Sequence, residues 1–173
     1  EEQETLSEDK GRAAGDTDAK VEQKQDNKHR HCIRRERKEE QRKKKEENQA
    51  NWLQRDPEIK CYLPGLPRAT YLPFPFQIFQ SQSAFFIAYE YAGAVRNVYL
   101  TDPGPPQTDS WMGQSVGRWD GDTFVVEVSG FNDATWFDRS GNHHCETMKV
   151  TERYTMLDRD HLQYEATIDD PKT

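Results

Sequence analysis

The stretch that decides the fold runs from Trp111 to Glu146 and reads WMGQSVGRWDGDTFVVEVSGFNDATWFDRSGNHHCE. Within it, Asp120-Gly121 is the kind of pair that supplies the positive φ angles of a tight hairpin, and it lies between two segments with strand patterning. On the second of these segments, three apolar residues take alternate positions: Phe124, Val126 and Val128. Such alternation predicts a β-strand with one buried face and one partly wet face.

Outward from this stretch, the same alternation recurs along the chain. The predicted strands are Ala84–Tyr91, Val95–Leu100, Ser115–Trp119, Thr123–Phe131, Met148–Met156 and Leu162–Ile168. Six strands in three hairpins, with no helix between them, predict a mainly β fold built as an antiparallel meander. With one buried face, such a sheet forms a small barrel, complete or incomplete, or a sandwich, and we favour the barrel. Because the chain ends in turn-like residues, we expect at least one more strand in the natural protein.

Composition divides the chain near residue 50. Residues 1–50 hold 14 Lys or Arg and 14 Asp or Glu, with almost no aromatic residues, which predicts a charged arm that is disordered or helical. Residues 51–173 hold all four Trp, all seven Tyr and all eight Phe, and carry the whole net charge of −7. They form the predicted β-rich domain, expected to be truncated at its C-terminal end.

Between the arm and the strands, the segment Asp56–Phe76 contains five prolines. Proline disfavours regular helix and favours extended backbone. We therefore expect this segment to be strapped across the sheet by its aromatic residues.

Within the arm, Lys28–Lys45 carries ten basic residues against three Glu. Such a run can make weak contact with an anionic surface, or it can be a solvated helical face whose charges pair at three- and four-residue spacing. Nucleic acid is disfavoured as a partner, because no aromatic residue interleaves the charges and the adjoining domain is acidic. No apolar run is long enough to span a membrane as a helix, so no transmembrane segment is expected.

Cys32, Cys61 and Cys145 form an odd set. A bridge between Cys61 and Cys145 and three unpaired thiols are both open alternatives. Since the chain begins at Glu1, a leader removed from the natural protein is compatible with it.

Three segments resemble one known group of proteins: CYLPGLPRA, WMGQSVGRWDGDTFVVEVSGFNDATWFD and ERYTMLDRDHLQYEATIDDPK. The group is a widespread family of uncharacterised exported bacterial proteins, and the resemblance extends from about residue 51 to the end. It implies a periplasmic or secreted location and a lipocalin-like strand pattern. The group commonly has Gly-His-Ser where this chain has Gly113-Gln114-Ser115, and Pro-His-Ser where it has His143-His144-Cys145.

Gly113-Gln114-Ser115-Val116-Gly117 matches the G-x-S-x-G string of serine hydrolases. That nucleophile elbow needs a strand before the serine and a helix after it. Here a proline-rich loop precedes the serine and a hairpin turn follows, so the glycines more plainly indicate a bulge or a close approach of backbone.

Polar groups of potential chemical use cluster after the second hairpin. His143, His144 and Cys145 are metal-ligand types, but neighbouring residues on an extended chain point to opposite faces, so we predict no metal and no cofactor. A catalytic site would use His144 as general acid or base, with Asp133 or Asp138 orienting it.

Three functions are compatible with the sequence. The first is a domain that binds a small apolar or aromatic molecule; the residues predicted to line its interior or mouth are Tyr89, Tyr91, Trp119, Phe124 and Trp136. The second is a small hydrolase or isomerase centred on His144. The third is an envelope-associated interaction module that contacts anionic surfaces through its basic arm.

Overall fold

A computed structural model describes residues 36–171 of the protein. The chain divides into two units between Gln41 and Arg42. In the first unit the described residues, 36–41, are helical, and helical structure extends through residue 50 in the second (α1, residues 36–50). The basic residues from Lys28 to Arg35, together with Cys32, lie outside the described part. Among residues 36–171, no helix is both long and apolar enough to cross a membrane.

The second unit, Arg42–Thr173, contains a sheet of seven strands within the described residues. Two short helices precede the strands, α2 (Trp52–Arg55) and α3 (Arg68–Tyr71). The strands are β1 (Phe76–Gln80), β2 (Ala84–Tyr89), β3 (Val95–Tyr99), β4 (Gln114–Asp120), β5 (Thr123–Ser129), β6 (Lys149–Met156) and β7 (Leu162–Asp169). They lie in sequence order and form an open half-barrel, which confirms the predicted mainly β meander.

The three predicted hairpins are all present, as β2–β3, β4–β5 and β6–β7. One strand, β1, was not predicted and pairs with β2 at the sheet edge. The sheet is also mixed, because β3 and β4 run parallel and pair only at Val98–Ser115 and Tyr99–Val116. The long connection between them returns the chain to the same end of the sheet before β4 begins.

The tight turn of the β4–β5 hairpin is one residue later than predicted. Asp120 pairs with Thr123, so the two turn residues are Gly121 and Asp122. Gly121 has φ +60° and takes the first turn position, where a type II′ turn requires a positive φ.

The main cluster of buried side chains lies on one face of the sheet, called here the inner face, and Val125 of β5 is buried on the opposite face. The core on the inner face includes Phe85, Ile87, Val98, Phe124, Val126, Val128 and Val150. The proline-rich segment covers this face, but it includes the short helix α3 as well as extended backbone, and Leu66 and Ala69, not aromatic residues alone, belong to the core. The Thr70 hydroxyl lies 3.1 Å from the Tyr89 hydroxyl. Burial of these apolar groups is the main stabilising contribution to the fold.

A buried ion pair anchors the covering segment. Arg68 is 1 % exposed and donates to both carboxylate oxygens of Asp56, at 3.1 and 3.2 Å, and also to Glu58. Glu58 in turn accepts hydrogen bonds from the exposed Arg139, at 2.6 and 3.1 Å, and these bonds lower its pKa. The charges therefore tie the segment to the loop between β5 and β6.

The inner face is not buried at the sheet edges. On β7, Leu162 and Ile168 are 39 % and 40 % exposed, and Ile78 on β1 is 41 % exposed. The expectation that one continuous apolar surface is buried through the last strand is therefore wrong at β7. The register does place Leu162 and Ile168 opposite Met156 and Val150, so the predicted face is right, but a strand at the edge has a neighbour on one side alone.

Candidate functional site

A polar cluster occupies the middle of the otherwise apolar inner face. Arg96 on β3 is 2 % exposed and Glu152 on β6 is fully buried, and the two form an ion pair. Arg96 Nε donates a second hydrogen bond, of 2.8 Å, to the Ser115 hydroxyl on β4. The cluster thus connects strands β3, β4 and β6.

Two tyrosines complete the cluster around the carboxylate. Tyr164 and Tyr154 donate hydrogen bonds to Glu152 Oε1, at 2.7 and 3.2 Å. Burial and the neighbouring carboxylate raise the pKa of each tyrosine, so both remain protonated donors at neutral pH. Burial lowers the pKa of Arg96, but the attraction and hydrogen bond of Glu152, together with the neighbouring tyrosines, raise it overall. The carboxylate is therefore held in a fixed orientation towards Arg96.

One donor of this cluster has no partner. Among residues 36–171, no group accepts a hydrogen bond from Nη1 of Arg96, although that atom is buried. A buried donor without an acceptor costs about 1–3 kcal/mol.

Sequence reasoning missed the roles of Arg96 and Glu152, although a signal for each was present. In VRNVY, Arg96 takes the same strand phase as buried Val98. In KVTERYTM, Glu152 takes the same phase as Val150 and Tyr154. Two opposite charges at core-facing positions of the first and third hairpins are compatible with a buried pair, because an isolated buried charge is unfavourable.

A groove of about 620 Å³ lies where β3 and β4 diverge. Since the two strands pair at only two positions, the first residues of β3 face the connecting loop instead of β4. The apolar lining comprises Leu63, Val95, Tyr99, Trp111 and Met112, and polar residues include Asn97, Gln107, Thr108 and Gln114. Arg96 also lines the groove. Its size and mixed lining suit a small molecule with an apolar body.

Two contacts hold residues that line the groove in position. The Tyr62 ring lies 5.4 Å from the Trp111 ring, at an interplanar angle of 59°. On the other side, Gln114 Nε2 donates a 2.7 Å hydrogen bond to the Gly104 carbonyl, which fastens the connecting loop to β4. Both contacts restrict the motion of groove residues before a ligand arrives.

A second, more polar depression of about 450 Å³ adjoins the same loop. Its lining includes the charged side chains of Glu127, Lys149 and Asp169 and the hydroxyl of Thr151. No aromatic residue lines this depression. The groove at β3 and β4 is therefore the better site for an apolar ligand.

The five predicted ligand-contacting residues lie in different surroundings. Tyr89 and Phe124 are core residues, at 4 % and 7 % exposure, whereas Trp119 is 56 % exposed and packs on Phe124 at 5.1 Å. Tyr91 donates a 3.1 Å hydrogen bond to the Glu58 carbonyl, and Trp136 is buried in the loop after β5, where it bridges to His143. Trp119 and Phe124 are brought together, and none of the five residues lines the groove.

His144, the predicted general acid or base, is 1 % exposed. Its Nε2 lies 2.5 Å from the Thr135 hydroxyl and its Nδ1 lies 3.1 Å from the Cys145 carbonyl. Burial lowers its pKa, so the imidazole is neutral at neutral pH. These contacts hold the loop together, and Thr135 is in turn so close to Gly65 that a Cβ there would meet the Thr135 hydroxyl at 2.5 Å.

The two predicted carboxylate partners make other contacts. Asp138 accepts hydrogen bonds from the Ser140 and Asn142 backbone amides, at 2.8 and 3.3 Å, and from the Asn142 side chain. Asp133 is exposed, and its charge acts on the pKa of His144 only as a weaker opposing influence. Nothing in residues 36–171 gathers three or more His, Cys, Asp or Glu side chains as a metal site would need.

The G-x-S-x-G string forms strand structure. Ser115 is buried in β4 and accepts the hydrogen bond from Arg96, and β4 continues to Asp120 with no helix after the serine. A Cβ on Gly117 would meet Val98 at 2.8 Å and would overlap the Phe124 ring, so this glycine allows the close approach that its position suggested. Cys61 and Cys145 are both thiols, and no disulfide joins them.

Comparisons with family models, with curated proteins and with solved structures gave no match for this chain.

Proposed function

We propose that the domain binds a small aromatic or apolar molecule in the groove between β3 and the loop that leads to β4. The single observation that carries this proposal is the groove itself, about 620 Å³ in volume with Trp111 and Tyr99 in its lining. Ligand sites of soluble proteins are commonly clefts of about 300–1,000 Å³ with apolar and aromatic walls and a few polar groups.

The geometry supports a binding site more than a catalytic one. An acid–base catalyst needs a titratable group within reach of its substrate. His144 is buried, and both of its ring nitrogens lie within hydrogen-bond distance of protein atoms. The groove lining contains no histidine, cysteine or carboxylate side chain among the residues that define it.

A thermal-shift screen with aromatic and aliphatic compounds of about ten heavy atoms tests the proposal. A ligand that binds only the folded protein stabilises it by about 2.7 kcal/mol at a concentration of 100 times its Kd. We expect aromatic compounds to raise the Tm and Trp111→Ala to abolish that rise. Trp119→Ala is the matched control, because this exposed tryptophan packs on Phe85 and Phe124 and does not line the groove.

Two results would overturn the proposal. One is the absence of stabilisation by any class of compound. The other is a rise in Tm that Trp119→Ala removes and Trp111→Ala leaves intact. That result would place the ligand at the aromatic cluster of Phe85, Trp119 and Phe124.

A further inference from the structure

The strand β1 forms one edge of the sheet. Among residues 36–171 it pairs with β2 alone, and no described strand lies along its other side. Four of its five residues are exposed, and Ile78, in the middle of the strand, is 41 % exposed although it lies on the inner face. An edge strand presents a row of unpaired N–H and C=O groups to any strand that can approach it.

The register of β1 with β2 shows which backbone groups of β1 point to the free side. A hydrogen bond of 2.9 Å from the Ser81 N–H to the Ala84 carbonyl closes this ladder. In an antiparallel ladder, hydrogen-bonded pairs alternate with pairs whose backbone groups point away. The odd-numbered residues of β1 therefore bond to β2, and the N–H and C=O groups of Phe76, Ile78 and Gln80 point outward.

The strand lacks the features that prevent natural edge strands from pairing, which are charged side chains, proline within the strand and bulges. It reads FQIFQ, and its register with β2 is continuous. The sequence from Ala69 to Tyr89 contains no charged residue, although charged residues make up 32 % of the chain. A strand that approaches this edge would therefore meet no charge on β1.

We propose that β1 pairs with β1 of a second copy of this chain, antiparallel, about a two-fold axis that passes between the two Ile78 residues. In this register Phe76 of each copy lies opposite Gln80 of the other, so all outward-pointing backbone groups of both strands find partners. Ile78, exposed in the single chain, contacts the same residue of the other copy. Such a contact uses the same surface on both copies and closes as a dimer.

The opposite edge strand, β7, does not suit the same self-pairing. A hydrogen bond from the Leu157 N–H to the His161 carbonyl closes its ladder with β6, so the backbone groups of the even-numbered residues from Leu162 to Ile168 point outward. The register that pairs this whole length places Glu165 of one copy directly opposite Glu165 of the other. Like charges directly opposite each other are destabilising. The uncharged edge β1 is therefore the one that fits a second copy.

The dimer goes beyond the proposed function and does not depend on it, because no residue of β1 lines the groove. Two paired five-residue strands make a small contact, of the kind that gives weak association. Sedimentation velocity of the full chain, from low micromolar to near-millimolar concentration, tests the proposal. We expect a monomer at the lower end and a dimer at the upper end. A monomer throughout, or growth beyond a dimer, would overturn it.

Ile78→Lys places two like charges at the two-fold axis. We expect it to raise the Kd of the dimer at least tenfold. Ile168→Lys is the matched control, because this isoleucine is 40 % exposed on the other edge strand, and it should leave the Kd unchanged. Each lysine lowers the net negative charge of the chain, so general repulsion does not account for a loss. A dimer that survives Ile78→Lys, or that Ile168→Lys dissociates, would contradict pairing through β1.

Amide hydrogen exchange of the natural chain gives a readout that needs no variant, and it decides if circular dichroism shows Ile78→Lys to be unfolded. The N–H groups of Phe76, Ile78 and Gln80 become hydrogen-bonded only in the dimer, so we expect them to exchange more slowly at high protein concentration. Those of Gln77 and Phe79 bond to β2 and should be protected at every concentration. Exchange at the three even-numbered positions that does not depend on concentration would overturn the proposal.

Discussion

Arg96 and Glu152 form an ion pair inside the sheet although 56 positions separate them in the chain. Arg96 lies on β3 and Glu152 on β6, so the pair connects two strands that are separated in the sheet by β4 and β5. Buried pairs of this kind contribute little net stability relative to apolar residues. Removing one partner, however, leaves the other charge buried and uncompensated.

Replacing Arg96 alone should therefore be costly. We expect Arg96→Met to lower the free energy of unfolding by about 3–5 kcal/mol, since Glu152 would be left buried without its cation. The double variant Arg96→Met, Glu152→Leu should be more stable than Arg96→Met. Urea denaturation of the single and double variants measures both values.

The exposed pair Arg118–Glu127 is the control, because both of its side chains are 59 % exposed. Arg118→Met should change the free energy of unfolding by less than about 1 kcal/mol. A loss for Arg96→Met as small as that for Arg118→Met would show that the buried pair is not where the structure places it.

His144 should make the protein less stable in mild acid. Burial lowers its pKa below the ordinary 6.5, so the unfolded chain binds the proton more readily than the folded one does. Stability is then complete above about pH 6.5 and is lost as the pH falls towards the lowered pKa. His143, whose pKa burial also lowers, acts in the same direction.

His144→Asn should reduce this dependence. Between about pH 7.5 and 5.5, we expect the variant to lose less stability than the natural chain, by at most about 1.4 kcal/mol, because the window includes one pH unit below 6.5. Urea denaturation at the two pH values measures it. His161→Asn is the control, since His161 is 73 % exposed. Equal pH slopes for the natural chain and His144→Asn would contradict the assignment.

Gly117 should not tolerate a side chain. An added Cβ would lie 2.8 Å from Val98 and would overlap Phe124, so we expect Gly117→Ala to cost about 1–3 kcal/mol by overpacking. In the double variant with Phe124→Leu, the smaller side chain should relieve part of that overlap, giving a total loss below the sum of the single losses. Thermal or urea denaturation decides; strictly additive losses would mean that Gly117 and Phe124 are not in contact.

The local patterns predicted the strands, and they could not predict the arrangement of all of them. Alternation within each hairpin is a property of neighbouring residues, so β2 to β7 were readable from sequence. The parallel pairing of β3 with β4 depends on the path of a proline-rich loop, which alternation does not encode. The strand β1, Phe76–Gln80, follows a run of prolines and is mostly exposed, so it lacked the signal of a half-buried strand.

The candidate site was predictable in part. The phases of Arg96 and Glu152 mark both as core-facing, and a search for charges at such positions would have found them. The groove has no comparable signal, because it combines Leu63, Tyr99 and Trp111 from three separate segments. Residues far apart in sequence come together there through the pairing of β3 with β4.

The most direct test of ligand binding in the groove is a ¹⁵N–¹H NMR titration of the labelled protein with acetophenone. We expect saturable shifts of the Trp111 indole N–H and the Gln114 side-chain amide, with the Trp119 indole N–H unmoved. Shifts confined to Trp119 and its neighbours, or no shift at millimolar acetophenone, would contradict binding in the groove.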